Sequence, residues 1–145
     1  MKIKEIVKFD FNYAEYIVTD GNYDVICLCL SVPLLNNEVP VKGMEVKIIY
    51  PFTFDAIDIK KNNDEKEFLI QKNKAYFEYY LRGMIVNKEK ALIKIENFVI
   101  CLEKDFKEGF SDQYQIGDFI EFKVDRLDCE LKGYPEDHLY TNVSL

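Results

Sequence analysis

The chain has 145 residues, 48% of them hydrophobic and 14% aromatic, and carries a formal charge of −7. A length of one ordinary domain with this apolar content excludes a disordered chain, and a core of that size needs no metal or disulfide to hold it. Only Arg82 and Arg126 among the basic residues are arginines, and an acidic, arginine-poor chain is unsuited to gripping duplex DNA, so its charge favours basic partners instead.

Ile, Val, Phe and Tyr dominate the apolar set, a mixture that suits strands better than helices. The opening "VKFDFNY" alternates Val7, Phe9, Phe11 and Tyr13 with polar residues and predicts a strand with one buried face. Tyr16 and Val18 continue that face with shifted parity, which predicts a β-bulge after Ala14 and Glu15. Asp20 and Gly21 are the pair a tight primed turn needs, so a hairpin is expected there. The "DVICLCLSVP" stretch that follows predicts a strand covered on both faces, and 29–43, with two prolines, predicts a loop.

The segment "MEVKIIYPFTFDAIDIKK" alternates Val46, Ile48, Tyr50, Phe52, Phe54 and Ala56, then shifts parity to Ile57 and Ile59. Several strands are expected over 68–102, with a turn at 87–90 and a parity shift near Glu96 and Asn97. Residues 104–117 are the one stretch that suits a short helix. The last strand pattern runs through Ile120, Phe122 and Val124, then shifts at Asp125 and Arg126 to Leu127, Cys129 and Leu131. Residues 133–145 read as a tail.

"YIVTDGNYDVIC" lies over "MIVNKEKALIKI", and "GMEVKIIY" over "GDFIEFKV", at offsets of about 68 and 74 residues. This predicts a weak internal duplication, with half-repeats 1–62 and 63–132 inside one domain, 1–145. Long bent strands of this kind close barrels. "IGDFIEFKV", preceded by a hairpin and a candidate helix, resembles the closing half of an OB-type barrel, and "KGMEVKIIY" is similar in the first half. The expected fold is therefore mostly β: a bent-strand antiparallel β-barrel or sandwich, OB-like in one form, with one short helix.

The four cysteines are Cys27, Cys29, Cys101 and Cys129. Cys27 and Cys29 share one strand face, so a zinc site completed by the other two can be drawn. Against it, the flanking residues are apolar on both parities and no basic side chain is adjacent to lower a thiol pKa, so these thiols are expected in the core. No cofactor or metal is expected. The sole histidine, His138, lies in the tail, which leaves no histidine for a nucleophilic dyad within the barrel. Paired carboxylates (Asp20 and Asp24, Asp55 and Asp58, Asp125 with Asp128 and Glu130) could serve hydrolysis, but their positions suit a solvated face. No catalytic residue is assigned.

"AYFEYYLRG" is the most suggestive stretch. Tyr76, Tyr79, Tyr80 and Arg82 are the candidate binding residues, because aromatics beside arginine anchor protein interfaces and, on an OB-type face, stack unpaired bases. Core packing explains them equally simply. The expected function is a non-enzymatic acidic binding module for a protein partner with a basic surface. The alternatives are an OB-like binder of single-stranded nucleic acid or a small ligand and, last, a carboxylate-based enzyme. With no export signal and no membrane span in view, a cytoplasmic bacterial protein is expected.

Overall fold

Backbone hydrogen bonds pair nearly every apolar segment of this chain as a strand. The computed structural model describes residues 1–10, 13–30, 40–64, 67–73, 76–102 and 110–132. They carry eleven strands: β1 (Lys2–Phe9), β2 (Ala14–Thr19), β3 (Asp24–Cys29), β4 (Val46–Phe52), β5 (Lys60–Lys61), β6 (Leu69–Lys72), β7 (Tyr79–Asn87), β8 (Leu92–Ile95), β9 (Phe98–Cys101), β10 (Phe119–Val124) and β11 (Arg126–Leu131). The chain divides into two compact units, one made of Met1–Ile48 with Asp128–Leu145, the other of Ile49–Leu127.

In the first unit the strand order is β1-β2-β3-β11-β4. The expected bulged strand through Tyr13 is instead a hairpin. β1 ends at Phe9, Asp10 donates its backbone N–H to the Tyr13 carbonyl at 2.9 Å, and β2 returns antiparallel with Phe9 opposite Ala14. Val7 and Phe9, expected inside, are 43% and 37% exposed, because β1 shifts register twice against β2.

The β2–β3 hairpin forms as expected, with Gly21 and Asn22 as its central pair, because the Asp20 N–H bonds the Tyr23 carbonyl at 3.2 Å. Gly21 holds φ +103°, at the first central position where glycine is needed. The Asp20 carboxylate accepts the Asn22 and Tyr23 N–H groups, both at 2.8 Å, the local bond that makes aspartate a turn residue. Tyr16, Val18, Val25, Cys27, Cys29 and Leu131 are among the buried side chains of this unit.

In the second unit the order is β4-β9-β8-β7-β10-β5, with β6 on β7. β4 and β9 pair in parallel through Ile49 and Ile100, an exception to the expected antiparallel pattern. Leu81, Ile85, Ile93, Phe98, Ile120 and Phe122 are nearly fully buried. The parity shift near Glu96 is a second hairpin rather than a bulge: Ile95 faces Phe98 across a two-residue turn. Glu96 there adopts φ +52°, a left-handed conformation that costs an L-residue about 1–2 kcal/mol. Glu96→Gly is expected to raise stability by up to about 1 kcal/mol, the relief of strain being partly offset by added backbone entropy in the unfolded chain. A higher urea midpoint checks it.

The expected closed barrel is corrected. In neither unit does a strand ladder among the described residues return to its starting strand. The physical reasons lie at the edges. β5 is only Lys60 and Lys61, too short and too charged to extend a sheet. The free side of β1 meets an isolated bridge, Lys2 opposite Glu45, flanked by bonds of Ile3 to Met44 at 2.9 Å and to Gly43 at 2.8 Å and of the Val46 N–H to the Met1 carbonyl at 3.0 Å, too few to form a ladder. The short helix expected over 104–117 is established only as one turn, Phe110–Gln113, and 103–109 lie outside the described residues, as do the tail 133–145 and His138. The phase change at Asp125 is the junction of β10 and β11, with Ile120, Phe122 and Val124 buried before it and Leu127, Cys129 and Leu131 after it.

Candidate functional site: an acid-lined groove

The aromatic cluster of 76–82 does not form one surface. β7 alternates its faces, so Tyr79 turns inward at 3% exposure while Tyr80 and Arg82 share the opposite face. Arg82 is itself buried at 7% exposure, and its Nε donates to the Glu67 carbonyl at 2.8 Å. That role ties the segment before β6 to β7 and withdraws the guanidinium from solvent. Tyr76 lies outside β7 and is exposed. Its ring meets Phe77 edge-on at 4.6 Å, and the Lys72 ammonium sits 4.4 Å above it. Of the four candidates, Tyr80 alone reaches the groove described next.

That groove, about 350 Å³ in volume, belongs to the second unit. Its lining combines the segment after β4, the β5 strand, the start of β7 and the strand β10. Asp55, Asp58, Glu78, Glu121 and Asp125 contribute carboxylates, against Lys60 and Lys123. The register explains the assembly. Glu121 of β10 faces Lys60 on one side and Arg82 on the other, while Lys123 faces Tyr80. On an antiparallel sheet these directly opposed pairs, two residues apart along each strand, share one face.

Two of the carboxylates are held in place by hydrogen bonds. The Tyr80 hydroxyl donates to Glu121, whose other oxygen accepts from Asn62 Nδ2 at 3.4 Å. Asp125 Oδ2 accepts the Phe54 backbone N–H at 2.8 Å, and the Asp125 N–H bonds the Phe52 carbonyl at 2.9 Å. These contacts fix the segment after β4 against the end of β10. Asp55 and Asp58 lie in solvent. The arrangement offers fixed negative charge at a concave surface, which attracts cations and focuses their approach.

Sequence reasoning singled out Asp55, Asp58, Asp125 and Tyr80, but as unrelated features. It missed Glu78 and Glu121. The only available signal was strand parity, since Glu121 and Lys123 alternate with buried Ile120, Phe122 and Val124.

A smaller polar cluster closes the other end of β10. Asp118, 8% exposed, accepts the Gln115 N–H at 2.9 Å and Asn63 Nδ2 at 3.1 Å, and pairs with Lys61 at 3.2 Å. Asn63 in turn accepts the Phe119 N–H at 2.8 Å. The Gln115 backbone bond chiefly, with the Asn63 and Lys61 contacts, holds the Asp118 carboxyl below its ordinary range against the opposing effect of burial.

Cys27, Cys29 and Cys129 are buried free thiols in the first unit. A hydrogen bond to Cys27, together with burial, pushes the Cys129 thiol well above its usual range, although the Cys29 contact acts in the opposite sense. Such a thiol is a poor nucleophile. Cys101, in the second unit, points its Sγ at the Lys90 carbonyl, 3.4 Å away. Among the described residues no group of three or more His, Cys, Asp or Glu side chains is arranged to hold a metal ion.

The fold and groove define a mostly-β protein with an acidic concave surface. Among the described residues no helix is long and apolar enough to cross a membrane. No protein-family model, curated protein or solved structure gives a significant match to the chain.

Proposed function

We propose that this protein is a non-enzymatic binding module whose acid-lined groove receives a basic surface of a protein partner. The gathering of Asp55, Asp58, Glu78, Glu121 and Asp125 around one concavity, against two lysines, carries this reading. Overall charge acts in the same direction: at −7 the chain steers basic partners toward it. The bonds on Glu121 and Asp125 support binding over hydrolysis, because both carboxylates already serve as fixed acceptors. Four cysteines with no disulfide among them accord with a cytoplasmic setting.

The second reading is an OB-type module for single strands or small ligands. It is favoured by the strand order β1-β2-β3-β11-β4 of the first unit, with its Lys2–Glu45 bridge back to β1, which resembles a five-stranded OB arrangement. The acidic groove and the buried Arg82 weigh against nucleic acid.

Fluorescence anisotropy with a labelled oligolysine peptide and a labelled oligothymidylate separates the two. Oligolysine is expected to bind at low salt and to weaken as salt rises, with oligothymidylate failing to bind. Binding of the oligonucleotide alone would replace the first reading with the second.

A further inference from the structure

Phe54 is the most exposed large hydrophobic side chain among the described residues, at 82%. It lies in sequence between Thr53 and Asp55, both of which line the groove, so it stands at the rim. Single exposed hydrophobic residues are common on protein surfaces. Phe54 differs in how firmly it is held. Its N–H is bonded to Asp125. Its ring packs edge-on against Phe52 at 5.1 Å, with an interplanar angle of 88°. The Phe52 ring is itself covered by the Arg126 guanidinium, 3.9 Å from its centroid. A ring fixed in this way loses little freedom when a partner covers it, so more of its burial appears as affinity.

We propose that Phe54 is the apolar anchor of this surface, and that its partner is a protein segment carrying an apolar side chain next to basic ones. Resting on the binding-module reading above, the inference adds what the partner must present. The basic side chains enter the groove beside Asp55 and Asp58, and the apolar side chain lies on the Phe54 ring. Charge complementarity sets the first requirement. The second follows because an apolar side chain buries the ring more fully than a lysine, whose ammonium keeps its water even when its stem lies on an aromatic face. Aromatic anchors set beside charged side chains recur at protein interfaces.

The test compares two labelled peptides of equal length, one all lysine and one with a single central leucine among lysines. Anisotropy is measured with wild type, Phe54→Ala, and the double variant Asp55→Asn with Asp58→Asn, after circular dichroism shows that each variant melts like wild type. The leucine peptide is expected to bind wild type about tenfold more tightly than oligolysine, the gain from burying one apolar side chain. Phe54→Ala is expected to remove that difference, costing the leucine peptide more than oligolysine, while the double variant weakens both peptides. Equal loss of both peptides in Phe54→Ala, or no loss of either, overturns the anchor while the groove reading stands. Unchanged binding of both peptides in the double variant, or no binding of either peptide to wild type, removes the groove reading itself.

Discussion

Gly83→Ala is expected to lower the unfolding free energy by about 1–3 kcal/mol, seen as a lower urea midpoint with an unchanged slope. Gly83 lies in the middle of β7, where pairing with β6 ends and pairing with β8 begins. A Cβ at that position would meet Ile95 Cγ1 at 2.4 Å and the Lys94 carbonyl oxygen at 2.7 Å. Neither can yield cheaply. Cγ1 is the root of a fully buried side chain, and the carbonyl belongs to the backbone of β8. The requirement at Gly83 is therefore space, and it lets Ile95 lie directly on the β7 backbone. A double-mutant cycle with Ile95→Ala gives the stricter test. Alone, Ile95→Ala costs about 2–5 kcal/mol for the cavity it opens, and with Gly83→Ala present the combined cost falls short of the sum. Strict additivity would show that the two sites do not share the space.

Asp118→Ala is the second large effect, expected at about 1–3 kcal/mol at neutral pH, because it removes together the hydrogen bonds that the buried Asp118 carboxylate accepts from the Gln115 N–H and Asn63 Nδ2. The pH dependence has a definite sign. The folded pKa of Asp118 lies below its ordinary 3.8, so over this window the unfolded chain binds more protons and stability rises with pH. The contribution is complete above the unfolded value and disappears as pH falls through the folded one. Asp118→Asn keeps the shape but cannot titrate. Its deficit relative to wild type is expected to shrink between neutral pH and pH values below 3.8, as followed by urea denaturation at each pH. A deficit that stays constant across that window would show that charge at Asp118 contributes nothing.

Both effects depend on pairings that local sequence signals do not carry, and the same limit explains which parts of the fold were legible. Alternation identified the strands around Ile120 and Cys129, and Gly21 marked its hairpin. The strand around Cys27 was legible from its unbroken apolar run, which predicts cover on both faces, whereas Val25, Cys27 and Cys29 are buried and Ile26 and Leu28 are half-buried. The shifts of parity near Tyr13, Glu96 and Asp125 marked real interruptions, but not their kind, and the one at Ile57 falls beyond the end of its strand. A bulge inserts one residue and changes which parity faces inward, and so does a two-residue turn with strands continuing on either side. Glycine would have distinguished them. The hairpins at Asp10 and at Glu96 lack one, so the first reads as a bulge after Ala14 and Glu15 and the second only as a parity shift.

The groove was less legible still. Glu78, Glu121 and Asp125 approach Asp55 only through the order in which β7, β10 and β5 pair, and one sequence does not encode that order in any local pattern. Phe54 was assigned inward because it continues the alternation of Val46 and Phe52. The strand in fact ends at Phe52, and beyond a strand end alternation no longer predicts which way a side chain faces.

The first unit is discontinuous in sequence, and this sets an order of events while the chain is being made. β3 adjoins β11, on the order of 100 residues later. At 5–20 residues per second, roughly 5–20 s separate the emergence of these two strands from the ribosome. Throughout that interval Val25, Cys27 and Cys29 belong to a three-stranded meander that lacks its fourth neighbour. The stretch Ile49–Leu127 is synthesised without interruption in that interval, and its last strand, β10, emerges immediately before β11. The nascent chain thus carries an unfinished apolar strand edge for seconds, and β3 is the segment that a trigger factor or holdase would have most reason to cover.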